Sequence, residues 1–183
     1  MNFPKNHLET LWAPWRVEYF ERDHQPLNDF LLEAAQTSDD AAHFVVTRNK
    51  SAFLILNKYP YSSGHLMAVP YRKTARMSAL SDTEVIDLWR LSLHAQELLT
   101  AVVRAQGFNL GLNIGALAGA GVEDHLHLHI VPRWNNDQNF MPLLAGTRII
   151  PEGLQSLYKR LITYQELGTL SSTNTSAETP PAI

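Results

Sequence analysis

Short apolar segments separated by turn-forming residues dominate the pattern of this chain from about residue 44 onward. Such segments, when rich in β-branched or aliphatic side chains, are typical of β-strands. Five are predicted: Phe44–Thr47, Ala52–Leu56, His65–Val69, Phe108–Ile114 and His125–Val131. The segment 57–64, rich in Pro, Ser and Gly, joins the second and third, and the segment 115–122, rich in Gly and Ala, joins the fourth and fifth.

Two segments have the 3.6-residue periodicity of amphipathic helices. The first starts with the capping-box pattern Ser81-Asp82-Thr83-Glu84 and is expected to end at Gly107. Its predicted buried stripe contains Val85, Leu88, Trp89, Ser92, Leu99, Val102 and Val103. The second covers about Glu152–Leu167, with Leu154, Leu157, Tyr158, Leu161 and Ile162 on one face. The polar region Glu21–Asp40 is ambiguous and permits a short helix over Asn28–Ala35.

The predicted order β-β-β-α-β-β-α indicates an α+β fold, in which helices pack on one side of an antiparallel sheet. We expect one domain over residues 1–168, including an N-terminal extension over residues 1–43. Residues 169–183 are mostly Ser, Thr and Pro. They offer too little apolar surface to offset the entropy of ordering, so we expect a disordered tail.

Composition narrows the function classes. The 183 residues include eight histidines and no cysteine, with a net charge of −3. The lack of cysteine excludes disulfides, Cys-ligated zinc and a thiol nucleophile. The mildly acidic charge argues against a nucleic-acid partner. The chain has neither a long apolar span nor a signal-peptide pattern, so we expect a cytoplasmic protein with no membrane contact.

The segment His125-Leu126-His127-Leu128-His129-Ile130 carries the strongest chemical signal. In a strand, alternate side chains lie on opposite faces, so the aliphatic residues would enter the core. The three imidazoles would then share one face, with neighbours about 6.6 Å apart. Two imidazolium charges at that spacing repel by roughly 2.5 kcal/mol at an effective dielectric constant of about 20, so at most one ring is expected to be charged.

A row of mostly neutral imidazoles can supply a nucleophile, a hydrogen-bond donor and an orienting group. Two alternatives remain open at this point. Histidines two residues apart on a strand can also bind zinc, with His65 as a further ligand. Isolated strand histidines are commonly structural.

The alternating histidines resemble the signature of the histidine triad (HIT) family. The flanking segments Gly107–Gly115, Ala118–Val122 and Pro132–Pro142 are similar to the branch that includes Fhit and diadenosine tetraphosphate phosphorylase. The segment Leu11–Arg16 resembles the N-terminal segment of that branch. The resemblance covers about Leu11 to Leu167. It implies a homodimer in which the two sheets join into one continuous sheet.

The resemblance also implies an enzyme that cleaves nucleotides at the α-phosphate linkage through a covalent nucleotidyl-histidine. His127 would be the nucleophile, and the backbone carbonyl of His125 would hold its other ring nitrogen. His129 would contact phosphate and assist the leaving group, and His65 would support the triad. The implied substrate is a dinucleoside polyphosphate or a related nucleotide conjugate.

Further residues are expected to bind the nucleotide. Gly119 and Gly121 allow backbone N–H groups close to a phosphate, and Val122 follows them. Asn113 offers an uncharged amide near this loop. Asn57 matches a family position that contacts ribose, and Phe53 is a candidate wall for the base or an ordinary core residue.

Two departures from the family pattern limit the prediction. Gly121 stands where many relatives carry Gln or Ser, which leaves hydrolase and phosphorylase activity both open, as well as a non-catalytic nucleotide-binding role. Some relatives hold a structural zinc through Cys-x-x-Cys, a later His and the first triad His. Here the matching positions are Asn28–Leu31 and Lys73, so no metal site and no required cofactor are expected. Whether a divalent cation accompanies a polyphosphate substrate is left open by the sequence.

Overall fold

Five antiparallel strands form one sheet at the centre of the molecule. The computed structural model describes residues 29–135, 137, 150 and 152–174. The strands are β1 (Val45–Arg48), β2 (Ala52–Leu56), β3 (Leu66–Pro70), β4 (Gly107–Leu112) and β5 (Leu128–Arg133). Their spatial order is β1-β2-β3-β5-β4, which places β4 at one edge of the sheet. The predicted α+β fold is confirmed.

Two long helices cover one face of this sheet. The helices are α1 (Phe30–Gln36), α2 (Asp40–His43), α3 (Asp82–Val103) and α4 (Leu154–Asn174). The larger hydrophobic cluster lies between the long helices and the sheet, with Leu54, Leu128 and Ile130 facing Leu98 and Leu161. Burial of these aliphatic side chains drives the packing of the two layers. On the opposite face, the short helix α1 packs against a smaller cluster.

Helix α3 begins where the sequence predicts and ends earlier. The Ser81 hydroxyl accepts from the backbone N–H of Glu84, whose side chain bonds back to the N–H of Ser81. The predicted end at Gly107 is wrong, because Arg104 takes the left-handed C-cap conformation with φ 55°. The N–H of Ala105 then bonds to the carbonyl of Leu99, which closes the helix and frees Gly107 to begin β4.

The buried stripe of α3 is also shifted from the prediction, and Leu88, Ser92 and Leu99 are the residues that the two sets share. Trp89 was expected in the stripe, yet it is 51% exposed. The buried residues of the helix are Asp87, Leu88, Leu91, Ser92, Ala95, Leu98 and Leu99. Periodicity gives the width of an apolar stripe only approximately, and packing against the strands fixes its centre. Trp89 lies on the far side, near exposed Ile86 and Leu93.

The C-terminal helix is longer than the sequence predicts. Leu157 and Leu161 are buried and Tyr158 packs beside them, as expected. The helix runs to Asn174, so the first part of the predicted disordered tail, residues 169–174, is helical. Extending an existing helix needs no new nucleus, and no proline interrupts this segment. Residues 175–183 lie outside the described residues.

Residues 1–28, which make up much of the predicted N-terminal extension and include the segment Leu11–Arg16, lie outside the described residues. Most of the segment after Trp134 also lies outside them. Within the described ranges, no helix combines the length and apolar character needed to cross a lipid bilayer.

Candidate active site

The histidine-rich segment enters the sheet later than the sequence predicts. Strand β5 starts at Leu128 rather than His125, because the N–H of Leu126 bonds to the carbonyl of Thr74 in the loop after β3. His125 lies in a bend before the strand, and Leu126 and His127 lead into β5. Leu128 and Ile130 face the core under the long helices, whereas His129 lies opposite Met67 on the other face.

The rings of His127 and His129 meet in a cleft on this face, at a centroid distance of 4.8 Å. That separation is shorter than the spacing expected from an ideal strand. Both side chains are only 6% exposed. Burial lowers the pKa of His127, and burial together with the neighbouring His127 lowers the pKa of His129 to about 4. Both rings are therefore neutral at pH 7.

The hydrogen bond of His127 fixes which of its nitrogens can react. Its Nδ1 lies 2.8 Å from the backbone carbonyl of His125. A carbonyl only accepts hydrogen bonds, so Nδ1 carries the proton and donates it. In the neutral ring, Nε2 then holds the lone pair. This is the arrangement that a nucleophilic imidazole requires.

The same reasoning gives the tautomers of His65 and His129. The backbone N–H of Tyr61 donates to Nδ1 of His65 at 3.1 Å, so His65 carries its proton on Nε2. That nitrogen lies 2.9 Å from Nδ1 of His129, which must accept. The proton of His129 is then on Nε2, which is buried without a hydrogen-bond partner among the described residues. His129 thus has a donor free for a bound group.

His65 is completely buried behind this pair. Burial, with a smaller effect of His129, lowers its pKa to about 3. The Asn57 amide Nδ2 lies 3.3 Å from Nδ1 of His65, on the same side as the Tyr61 N–H. Two donors therefore converge on one lone pair, and His65 stays neutral and fixed in one tautomer.

His125 takes a different position from the other two triad members. It is completely buried, and its Nε2 lies 2.8 Å from the carbonyl of Pro70, to which it donates. Its ring does not line the cleft; its backbone carbonyl is the group that contacts His127.

The predicted glycine loop forms one wall of the cleft. Gly119, Gly121 and Val122 line it opposite His127 and His129. Gly119 has φ +83°, a conformation that side chains rarely adopt, and a Cβ there would meet open space. The backbone of this loop is therefore accessible from the cleft.

The other three residues predicted to bind the nucleotide, Asn57, Asn113 and Phe53, lie in different surroundings. Asn57 is buried and lines the cleft, with its Oδ1 accepting from the N–H of Tyr59. Asn113 donates its amide to the Tyr61 hydroxyl at 3.2 Å. Phe53 is completely buried in the smaller hydrophobic cluster, next to Tyr71, and does not line the cleft.

Comparison with known proteins identifies the family. The sequence profile of the HIT domain matches residues 38–136, more than half of the chain. An AP-4-A phosphorylase of Mycobacterium tuberculosis is 38% identical over 168 residues, which cover 87% of this chain and 85% of that protein. The chain belongs to the HIT family.

Two further relatives extend the comparison. The bis(5′-nucleosyl)-tetraphosphatase [asymmetrical] of Schizosaccharomyces pombe is 32% identical over 115 residues, which cover 62% of this chain and 63% of that protein. The crystal structure of a Zn-bound histidine triad family protein from Mycobacterium smegmatis superimposes with a TM-score of 0.57 and 23% identity. It covers 72% of this chain and 88% of that chain, and it shows that the HIT fold is shared.

The structure adds cleft residues that the sequence reasoning missed. Phe30, Tyr59, Tyr61 and Met67 also line the cleft of this HIT protein. Met67 could have been found, because it lies two residues after His65 and so on the same face of β3. The others lie on α1 and on the loop before β3, and only the packing of these elements brings them to the histidines.

The region that matches the zinc site of some HIT relatives holds an ion pair here. The Lys73 ammonium lies 2.8 Å from both Asp29 Oδ2 and Asp124 Oδ2. Over the described ranges, no group of three or more His, Asp or Glu side chains is arranged to hold a metal ion.

Proposed function

We propose that this HIT protein cleaves dinucleoside polyphosphates, or related nucleotide conjugates, at the α-phosphate through a nucleotidyl-His127 intermediate. The observation that carries the proposal is the 2.8 Å bond from His127 Nδ1 to the His125 carbonyl, which leaves the Nε2 lone pair free. The names of the relatives support the substrate class, since both the mycobacterial and the yeast protein are named for dinucleoside tetraphosphates.

The first step forms a bond between His127 Nε2 and the α-phosphorus as the bond from that phosphorus to the bridging oxygen breaks. The His127 ring becomes cationic, and the bridging oxygen leaves with the electron pair as a nucleotide polyphosphate. His129 stabilises the charge on that oxygen by donating from Nε2. A neutral imidazole with a lowered pKa is a poor proton source, so His129 acts as a hydrogen-bond donor rather than as a general acid.

The second step releases the nucleotide. Water or inorganic phosphate attacks the phosphorus, the N–P bond breaks, and His127 regains its lone pair. Water gives a nucleoside monophosphate and a proton, and inorganic phosphate gives a nucleoside diphosphate. Gly121 offers only its backbone at a position where many relatives have a side chain that contacts phosphate. Both water and inorganic phosphate therefore remain candidates for the group that attacks the intermediate.

The test is turnover of diadenosine tetraphosphate with and without inorganic phosphate. Hydrolysis yields AMP and ATP, and phosphorolysis yields ADP and ATP. His127→Asn is expected to abolish turnover and the acid-labile labelling of the protein by substrate carrying ³²P at the α-position. His94→Asn is the matched control, because His94 pairs with Gln165 on the helical side of the molecule. Normal turnover by His127→Asn would refute the assignment of His127 as the nucleophile.

Two other functions are distinguished by the same assay. A zinc hydrolase would lose activity after dialysis against a chelator and regain it with zinc. A non-catalytic module would bind nucleotide without turnover. We expect full activity after chelation, with any benefit of added Mg²⁺ arising from the polyphosphate substrate. A nucleotide substrate is also in keeping with the cytoplasmic location expected from the sequence.

We further infer a homodimer in which two copies of β4 pair to continue the sheet. Strand β4 has a strand neighbour on one side within the described residues, so its outer backbone groups are available for pairing. The exposed apolar side chains Trp89 and Leu93 of α3 offer further surface to bury. Trp89→Glu is expected to shift the sedimentation coefficient toward the monomer. Leu167→Glu, at an exposed apolar residue of α4, is the control.

A further inference from the structure

The ring of His125 lies between two oxygen atoms inside the protein. Its Nε2 donates to the Pro70 carbonyl, and its Nδ1 lies 3.7 Å from Oδ1 of Asp29. The His125 side chain is completely buried, and Nδ1 has no hydrogen-bond partner among the described residues. The carboxylate of Asp29 is therefore the charged group that faces the free side of this ring.

Two donors fix the Asp29 carboxylate. The N–H of Leu32 donates to Oδ1 at 3.0 Å, where Asp29 is the N-cap of α1. The Lys73 ammonium lies 2.8 Å from Oδ2. The pKa of Asp29 is lowered, since the bonds to Lys73 and Leu32 outweigh the effect of burial. Asp29 is thus ionised at pH 7 and held in one orientation.

We propose that Asp29 is a positioning residue for the nucleophile His127 and acts through His125. The Pro70 carbonyl fixes the His125 ring through Nε2, and the anchored Asp29 carboxylate packs against the opposite side of the ring at Nδ1. Together these two groups hold the residue whose backbone carbonyl contacts His127. The carbonyl of His125 then stays where the Nδ1 proton of His127 can be donated. The inference rests on the proposed function, because it assumes that the Nε2 lone pair of His127 reacts.

The negative charge of Asp29 also favours nucleophilic attack by His127. When His127 attacks phosphorus, its ring becomes cationic, and a nearby negative charge stabilises that cation. Asp29 acts to raise the pKa of His127, although burial lowers that pKa more strongly. The fold therefore keeps His127 neutral before attack and places one carboxylate where it favours the charged intermediate.

The test is Asp29→Asn, which removes the charge and retains an N-cap residue of equal quality for α1. We expect kcat for diadenosine tetraphosphate to fall about 10–100-fold, by analogy with the loss of a group that orients a metal-binding histidine. KM should change less than about twofold, because Asp29 does not line the cleft. Asp29→Ser, a shorter N-cap, should give a similar loss and provides a second variant if the first folds poorly.

Asp39→Asn is the matched control. Asp39 is the N-cap of α2 and accepts from the N–H of Ala42, so the chemical change is the same at a position away from the triad. Its kcat should remain within about twofold of the parent, since an Asn cap replaces an Asp cap with little change in stability.

A spectroscopic measurement separates positioning from a loss of folding. Two-bond ¹⁵N–¹H correlation spectra should show the Nδ1–H tautomer of His127 in the parent and a mixture of tautomers in Asp29→Asn, at an unchanged melting temperature. An unchanged kcat, or a loss that only follows the unfolded fraction, overturns the inference. If His127→Asn is inactive while Asp29→Asn is normal, this inference fails and the proposed function stands; if His127→Asn is active, the proposed function itself fails.

Discussion

Acidification from pH 7 to pH 5 should destabilise the folded protein through its buried histidines. The unfolded chain has His65 with a pKa near 6.5, whereas burial and the neighbouring His129 lower the pKa to about 3 in the folded protein. Below pH 6.5 the unfolded state therefore binds a proton that the folded state does not, and acid favours unfolding. The stabilisation is present at pH 7 and is lost as the pH falls below 6.5.

The magnitude follows from the linkage between proton binding and stability. Each pH unit in this window costs about 1.4 kcal/mol for one histidine, so His65 should account for about 2 kcal/mol between pH 6.5 and pH 5. His129, with a pKa of about 4, adds a loss in the same direction. Carboxylates affect the stability at lower pH than the histidines do. Glu84, for example, has an ordinary pKa of 4.5 and a pKa of about 2 in the folded protein.

The assay is urea unfolding followed by circular dichroism at pH 7, 6 and 5, at one protein concentration and without nucleotide. The parent should lose roughly 2–4 kcal/mol of unfolding free energy, and His65→Asn should lose about 2 kcal/mol less over the same range. His94→Asn is the control on α3 and should keep the parental slope. A parental slope near zero, or an undiminished slope in His65→Asn, contradicts the assignment of neutral buried histidines.

Three further substitutions test the fold. Gly64→Ala should lower the unfolding free energy by about 2–4 kcal/mol, because φ is +80° and a Cβ would lie 3.0 Å from Leu99 Cδ2 and 3.2 Å from Pro132 Cγ. Thermal melts of both variants provide the measurement: Gly115→Ala, with φ +84° and open space, should cost about 1 kcal/mol, and an equal cost for both would contradict a clash. Ser81→Ala should cost about 1 kcal/mol through loss of the capping box, with chemical denaturation as the measurement and an unchanged midpoint as the contrary result.

Local patterns identified the elements that carry the site. The alternation of His with aliphatic residues placed His127 and His129 on one face, because side chains in an extended chain alternate whatever else surrounds them. The capping box at Ser81 fixed the start of α3 for the same kind of reason, since both partners lie within one helical turn.

The ends of the helices and strands were harder to predict from the sequence. The expected helix end at Gly107 gave way to Arg104 because a left-handed C-cap depends on the chain that follows it. The first residues of the histidine segment left the predicted strand because the loop after β3 offered a carbonyl to Leu126. The first outcome depends on how the chain continues into β4, and the second depends on a hydrogen-bond partner that is remote in the sequence.

The sequence by itself determined the α+β order of elements, the face shared by His127 and His129 and the absence of cysteine ligands, whereas the ring of His125, expected beside them, lies outside the cleft. The tertiary structure decided which tautomer each histidine adopts, since Tyr61 and the carbonyl of His125 set them through space. It also placed Phe53 in the core and brought Asp29 to the buried ring of His125. Periodicity is a property of neighbouring residues, whereas proton positions and charge contacts depend on atoms that only folding brings together.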